Sequence, residues 1–218
     1  MINWSKIETV LLDMDGTLLD LRFDNHFWLS IVPSHYAEKN GMSLMEAIDY
    51  LTPIFKAQEG QLNWYCLDYW SHVLSINIAE LKRQAKQRIQ VLPHTRDFLM
   101  AIQSSGIRCV LVTNAHSDSL TLKLQETGLV EFFDAIVCAH DVGYPKEHPL
   151  FWTGLQQLER FSLDKTLFVD DSLSVLRSAE EFGLTHLVAV TCPDSSEKPR
   201  IVTDFYGVEN LGNLLPIR

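Results

Sequence analysis

The sequence predicts an α/β protein: a doubly wound parallel sheet that carries one helical insertion. Three observations lead there. From His94 onward, short apolar runs at 108–112, 135–138, 166–169 and 187–190 alternate with helical segments. Strands separated by helices pair in parallel, with helices on both faces. An earlier apolar run, Val10-Leu11-Leu12, supplies one more buried strand. Between about Asp20 and Gln90 no strand pattern occurs. That stretch is too long for a loop and reads as inserted helices. The expected division is a core of residues 1–20 and 91–218 and a helical cap of residues 21–90.

The elements follow in order. Residues 27–39 space their apolar side chains as a helix does. Ser43 and Glu46 form a capping box ahead of Ala47, Leu51 and Ile54. Asn63 is the expected cap of a helix through Leu74, and 79–89 reads as a basic helix. Pro93 marks the return to the core. A helix to Ser105 stops at Gly106, one at 118–127 stops at Gly128, and one at 172–182 stops at Gly183. Pro149 suits the first turn of a helix over 149–159. The polar run 193–198 reads as a solvated loop.

Composition narrows the function. The 218 residues are 46% hydrophobic, enough to bury a core, and carry a net charge of −10. That charge argues against nucleic-acid or anionic-membrane surfaces, which need basic patches. A phosphate substrate stays open, because a metal and one lysine can reverse the local field. Cys66, Cys109, Cys138 and Cys192 form no CxxC pair, and Cys109 and Cys138 sit in apolar runs as small hydrophobes. A reduced cytoplasm is expected. Asn3, Lys6 and Glu8 interrupt any signal-peptide core, and no apolar run is long enough to span a bilayer.

The run Asp13-Met14-Asp15-Gly16-Thr17 directly follows the first strand. It puts two carboxylates at the carboxyl end of a buried strand, on a turn that Gly16 lets bend sharply. Ligands of open α/β sheets bind at that edge. Side chains at i and i+2 of an extended segment share a side, so Asp13 and Asp15 can address one small centre. Acids that close repel unless a cation or a shared proton relieves them. A turn role explains Gly16 and one Asp, not both acids.

Each later strand brings a partner. Thr113-Asn114-Ala115-His116 precedes a helix. A hydroxyl plus free helix N–H groups suits an anion, with simple capping an equal alternative. Gly143-Tyr144-Pro145-Lys146-Glu147 follows the third strand. A lysine on a stiff turn facing acids offsets their repulsion and can hold a phosphoryl oxygen. Asp170-Asp171-Ser172 follows the fourth strand, and beside Asp13 and Asp15 these acids complete a cation site. His116 can touch substrate; His72, His94 and His186 read as structural or solvated. No HxxxH or Cys/His cluster points to zinc.

In that order the four runs resemble the haloacid dehalogenase-like (HAD) phosphohydrolases over about residues 8–190, with a Rossmann-like core. The resemblance implies that Asp13 is the nucleophile, forming an aspartyl-phosphate, and Asp15 the general acid/base. It assigns Thr113, Asn114 and Lys146 to the phosphate. Asp171 becomes the main Mg²⁺ ligand, supported by Asp170, with Asp13 and Asp15 in the same metal set. Val175 stands where some members carry a further Asp, which bears on ligand detail and not on the reaction.

The insertion holds the aromatic stretch Asn63-Trp64-Tyr65-Cys66-Leu67-Asp68-Tyr69-Trp70. At 100° per residue, Leu67, Trp70 and Leu74 share one helix face, and Tyr65, Tyr69 and His72 nearly the opposite one. The first face serves the insertion's own core; the second needs the sheet domain or a flat ligand, or packs on both sides. With Phe23-Asp24-Asn25 and Phe27-Trp28, the stretch is similar to bacterial GMP/IMP nucleotidases, whose helical cap follows the first motif. That similarity implies hydrolysis of purine nucleoside 5′-monophosphates, with Trp28, Trp64, Tyr65 and Tyr69 as candidate substrate contacts. The residues alone reach a capped, Mg²⁺-dependent phosphomonoesterase, expected as a monomer or weak homodimer. A sugar-phosphate phosphatase or phosphomutase is the alternative. A dehalogenase would leave Asp15 and Asp171 idle. A phospho-accepting signalling module would need its Asp after the third strand and no long insertion.

Overall fold

A computed structural model describes residues 2–217. β1 (Thr9–Leu12) is buried at every position, which is why its sequence is a continuous apolar run and not an alternating one. β2 (Arg108–Thr113), β3 (Ala135–Cys138), β4 (Thr166–Asp170), β5 (His186–Val190) and β6 (Tyr206–Val208) complete one sheet. The order is β3-β2-β1-β4-β5-β6, all parallel. The doubly wound class therefore holds. The sequence reading missed β6, an edge strand of three residues with two of them exposed, too short to show a period. The chain winds away from β1 in both directions, through β2 on one side and β4 on the other. A crevice opens there, at the carboxyl ends of the strands.

The chain leaves β1 and returns side by side: the Leu92 N–H donates to Leu18 O at 2.9 Å and the Asp20 N–H to Gln90 O at 2.9 Å. Between them lie α1 (Arg22–His26), a π turn at Phe27–Ile31, and α2 (Val32–Asn40). α3 (Leu44–Lys56) starts at the expected capping box, in which Ser43 Oγ accepts the Glu46 N–H at 3.3 Å and Glu46 Oε2 the Ser43 N–H at 2.8 Å. α4 (Leu62–Tyr65), α5 (Leu67–Leu74) and α6 (Ile78–Gln84) follow.

Two expected elements differ. The helix from Asn63 to Leu74 is broken at Cys66, whose extended backbone (φ −85°, ψ 112°) lets its Sγ accept the Tyr69 N–H and cap α5. The helix over 79–89 ends at Gln84 and tightens into a turn at Lys86–Arg88. Leu67, Trp70 and Leu74 do share the buried face. They pack with Phe23, Phe27, Leu51 and Ile78 in an apolar cluster belonging to the insertion. Trp70 is its hub, with Trp28, Phe55, Trp64 and Tyr69 edge-on around it. Emptying such a site by Trp→Ala typically costs about 3–5 kcal/mol.

α7 (Thr95–Ser105) and α8 (Ser117–Thr127) cover one face of the sheet, burying Phe98, Ile102 and Leu120 against Val10 and Leu12. After the single turn α9 (Ala139–Val142), α10 (Pro149–Leu158) and α11 (Leu173–Phe182) cover the other, burying Phe151, Trp152 and Leu176 against Leu11, Val110 and Phe168. Among the described residues, no helix is long and apolar enough to cross a membrane.

Candidate active site

The Asp13 N–H donates to Val169 O at 3.0 Å, which continues the β1–β4 ladder and turns the carboxylate into the crevice. Asp13 Oδ1 lies 2.5 Å from Lys146 Nζ. The same ammonium reaches Asp170 Oδ2 at 2.7 Å and Val112 O at 3.2 Å, so one cation joins the ends of β1, β2 and β4. Asn114 Oδ1 accepts the Lys146 N–H at 2.8 Å, and Trp152 Nε1 donates to Lys146 O at 3.0 Å. Burial opposes the charge on Lys146, but Asp13 and Asp170 outweigh it and hold the ammonium firmly protonated. Burial pushes Asp13 up to about 6 against the pull of Lys146.

The chain bends at Gly16, with φ at +91°. A Cβ there would stand 2.6 Å from Asp171 Cγ, so only glycine admits this turn and this carboxylate together. The bend separates the two acids of the first run. Asp15 Oδ2 turns to Lys123 Nζ, 2.7 Å away. The same Nζ lies 2.7 Å from Asp24 Oδ2, and Asp24 Oδ1 lies 2.7 Å from Lys82 Nζ. A chain of alternating charge thus runs from the insertion to Asp15. Burial raises Asp15 to about 6, with Lys123 opposing. Burial would raise Asp24 too, but Lys123 and Lys82 bring it down to about 2.

Asp13, Asp170 and Asp171 each offer a carboxylate oxygen within 4.8 Å of the others. One ammonium, Lys146, faces these three acids, and Arg200 Nη2 stands 3.7 Å from Asp171 Oδ2. Burial, then Asp170 and Asp13, hold the Asp171 carboxyl well above the usual carboxylate range. Hard oxygen donors short of positive charge fit Mg²⁺. Asp15, expected in the metal set, lies outside this group because its carboxylate is held by Lys123.

Above these groups is a cavity of about 530 Å³, walled by the sheet ends below and the insertion above, in the range that takes a drug-sized ligand. Asp13, Asp15, Thr113, Asn114, Lys146, Asp170 and Asp171 all line it, and so do Trp28, Trp64 and Tyr65. Tyr69 is not in the lining; it packs on Trp70. Thr113 Oγ1 accepts the Ala115 N–H at 3.0 Å. Both ends of the Asn114 amide hold the lysine turn, since its Nδ2 also donates to Glu147 Oε2 at 3.0 Å. Asn114 therefore positions Lys146. Tyr65 Oη donates to Glu147 Oε1 at 2.6 Å, tying the insertion to the same turn.

The family model of the haloacid dehalogenase-like hydrolases matches residues 7–183. The chain belongs to the haloacid dehalogenase-like hydrolases. It is an enzyme, a hydrolase of that family. It is 42% identical to the GMP/IMP nucleotidase YrfG of Escherichia coli over 89% of this chain and 87% of that protein. It is 26% identical to the pyrophosphatase PpaX of Oceanobacillus iheyensis over 97% and 96%. A HAD phosphatase from Thermococcus onnurineus superposes with a TM-score of 0.79 at 24% identity, covering 95% of this chain and 96% of that one. An L-2-haloacid dehalogenase from Xanthobacter autotrophicus shares the fold with a TM-score of 0.63 at 16% identity, over 95% and 96%.

In this HAD-like hydrolase, sequence reasoning missed Lys123, Lys82, Asp24, Phe55, Glu147 and Arg200 as parts of the site or its support. A signal existed for the two lysines. On α8, Leu120, Lys123, Leu124 and Thr127 are buried at helical spacing, and on α6 so are Ile78, Leu81 and Lys82. A lysine inside an apolar stripe is buried only when paired. Its acids, Asp15 and Asp24, lie too far away in sequence for any spacing rule to connect them.

Proposed function

We propose that this hydrolase is a Mg²⁺-dependent phosphomonoesterase acting on purine nucleoside 5′-monophosphates, GMP and IMP foremost. The observation that carries the reading is the division of the two acids between two lysines at the foot of an aromatic-walled cavity. Burial lifts both acids to about 6, each against the pull of its own lysine, so near neutrality each is largely a carboxylate and can still exchange a proton. Asp13, held by Lys146 beside Asp170 and Asp171, takes the nucleophile's role, and Asp15, held apart by Lys123, that of the general acid/base. The 42% identical nucleotidase supports the purine preference, and Trp28, Phe55 and Trp64 supply flat apolar walls for a base.

Asp13 attacks the phosphorus and forms an aspartyl-phosphate while Asp15 gives its proton to the leaving O5′. Asp15 then takes a proton from water, which opens the acyl phosphate and frees inorganic phosphate. Lys146 and Thr113 hold phosphoryl oxygens, and Asn114 keeps Lys146 in place. Mg²⁺ held by Asp13, Asp170 and Asp171 would neutralise charge on the transferring group. Residues 21–90 act as a cap that excludes water and selects the ester. Four free thiols suit a reducing cytoplasm.

The test is phosphate release from a panel of nucleoside and sugar monophosphates, with Mg²⁺ or EDTA. GMP and IMP should lead the panel, and EDTA should abolish turnover until Mg²⁺ is restored. Preference for sugar phosphates would transfer the reading to that class. Full activity after thorough chelation would remove the metal from it.

A further inference from the structure

A second cluster of metal-ligating side chains lies where the insertion meets the core. Cys66, His116 and His140 each place a ligand atom within 4.8 Å of the others. Cys66 comes from the break between α4 and α5, His116 from the loop after β2, and His140 from α9. The His140 ring turns Nδ1 toward Cys138 Sγ at 3.6 Å, and its Nε2 is buried without a hydrogen-bond partner. His116 has Nδ1 engaged by the Asp118 N–H at 3.4 Å, while Nε2 faces Asp68 Oδ2 at 3.7 Å. An orphaned imidazole nitrogen, a second imidazole and a thiol thus converge on one point, with the Asp68 carboxylate beside the second imidazole.

We propose that Cys66, His116 and His140, with Asp68 or a water as fourth ligand, form a binding site for a borderline-soft divalent cation, Zn²⁺ foremost, that ties the helical insertion to the core. Tetrahedral zinc with sulfur and nitrogen ligands sets those atoms about 3.3–3.8 Å apart. Ligand atoms already within 4.8 Å need small side-chain rotations to close on it. The donor set distinguishes this site from the acid cluster: thiolate and imidazole select zinc-like ions, whereas Asp13, Asp170 and Asp171 offer hard oxygens alone. Zinc at His116 Nε2 requires the ring proton on Nδ1, so the bond Nδ1 now accepts from the Asp118 N–H is exchanged for one donated to the Asp118 carboxylate, at present 4.0 Å away, the partner outer carboxylates supply to zinc-bound histidines. Binding releases the Cys66 proton to solvent. Cys66 and Asp68 belong to the insertion and both histidines to the core, so occupancy holds the wall of the cavity closed.

Co²⁺ tests this in chelator-stripped protein with Mg²⁺ in excess to fill the acid cluster. One equivalent of Co²⁺ should give thiolate-to-cobalt charge-transfer absorption, which Zn²⁺ should bleach by displacement. Cys66→Ser should abolish that absorption and still fold, since serine caps a helix at least as well; circular dichroism checks it. His140→Ala should weaken Co²⁺ binding by at least about tenfold, the lower end of what even outer-shell changes cost. Absence of charge transfer in the wild type would overturn the site. So would an equal signal in folded Cys66→Ser, or unchanged affinity in His140→Ala. None of these readouts depends on turnover, so the site can fail while the proposed nucleotidase activity stands, and the reverse.

Discussion

Asp13 and Asp15 are two residues apart and are held by different lysines, Lys146 and Lys123, and the proposed mechanism gives them different work. Asp13→Asn keeps size and loses the nucleophilic charge. It should leave almost no phosphate release in a protein that still folds, and near-normal release would refute the covalent route. Asp15→Asn should lower kcat by about 10²–10⁴-fold, the usual worth of a general acid/base. Lys123 lines the cavity with its ammonium held between Asp15 and Asp24, and in the proposed mechanism it acts through Asp15. Lys123→Met should therefore cut kcat by about ten- to a hundredfold, a part of the acid/base contribution, with KM for a small ester little changed. An effect on KM alone would make Lys123 a substrate contact instead. Gly16 belongs to this scale too: any side chain there would fall on the Asp171 carboxylate.

Among the elements, α1 and α6 meet α8 through Asp24, clamped between Lys82 and Lys123. Its folded pKa of about 2 lies below the ordinary 3.8. A depressed carboxylate stabilises the fold above its unfolded pKa and loses that contribution as pH falls through its folded one. The difference corresponds to about 2 kcal/mol, since each unit is about 1.4. Thermal melts should show wild type and Asp24→Asn furthest apart above about pH 4, the gap narrowing toward pH 2. A gap independent of pH would mean that Asp24 is not ionised in its clamp.

The aromatic helices make the second prediction at this scale. Base–aromatic stacking is worth about 1–3 kcal/mol in nucleic-acid binders. Trp28→Leu or Trp64→Leu should therefore lower kcat/KM for GMP about ten- to a hundredfold, while p-nitrophenyl phosphate is hydrolysed nearly as before. Tyr69→Leu, off the cavity lining, serves as the control. Equal losses on both esters would place base selection in the core loops near Ala115 and Tyr144.

At the scale of the whole molecule, the cavity exists because two bodies of side chains face each other. The sheet supplies the charged floor and the helices supply the apolar wall. Tyr65 to Glu147 and Asp24 to Lys123 cross between them. The metal dependence tested by EDTA belongs to this scale as well. Its expectation rests on the sum of charges brought together from three strand ends, not on any one residue.

The sequence by itself determined the parallel sheet, the place of the insertion and the motif residues at the strand ends. Each of these is written locally: a run of apolar residues makes a buried strand, glycine ends a helix, and polar residues after a strand fall on the ligand-binding edge. Even there, the local rule failed at Cys66, where a periodic apolar pattern concealed a break held by the Cys66 Sγ cap on the Tyr69 N–H and by the Trp70 Nε1 bond to Trp64 O. Tertiary structure alone decided which lysine serves which acid, that Asn114 positions Lys146, that Tyr69 faces its own helices, and that Cys66, His116 and His140 meet. Those outcomes depend on contacts between residues tens of positions apart. Burial makes such contacts obligatory, since a charge taken out of water must find its partner wherever the fold has put it.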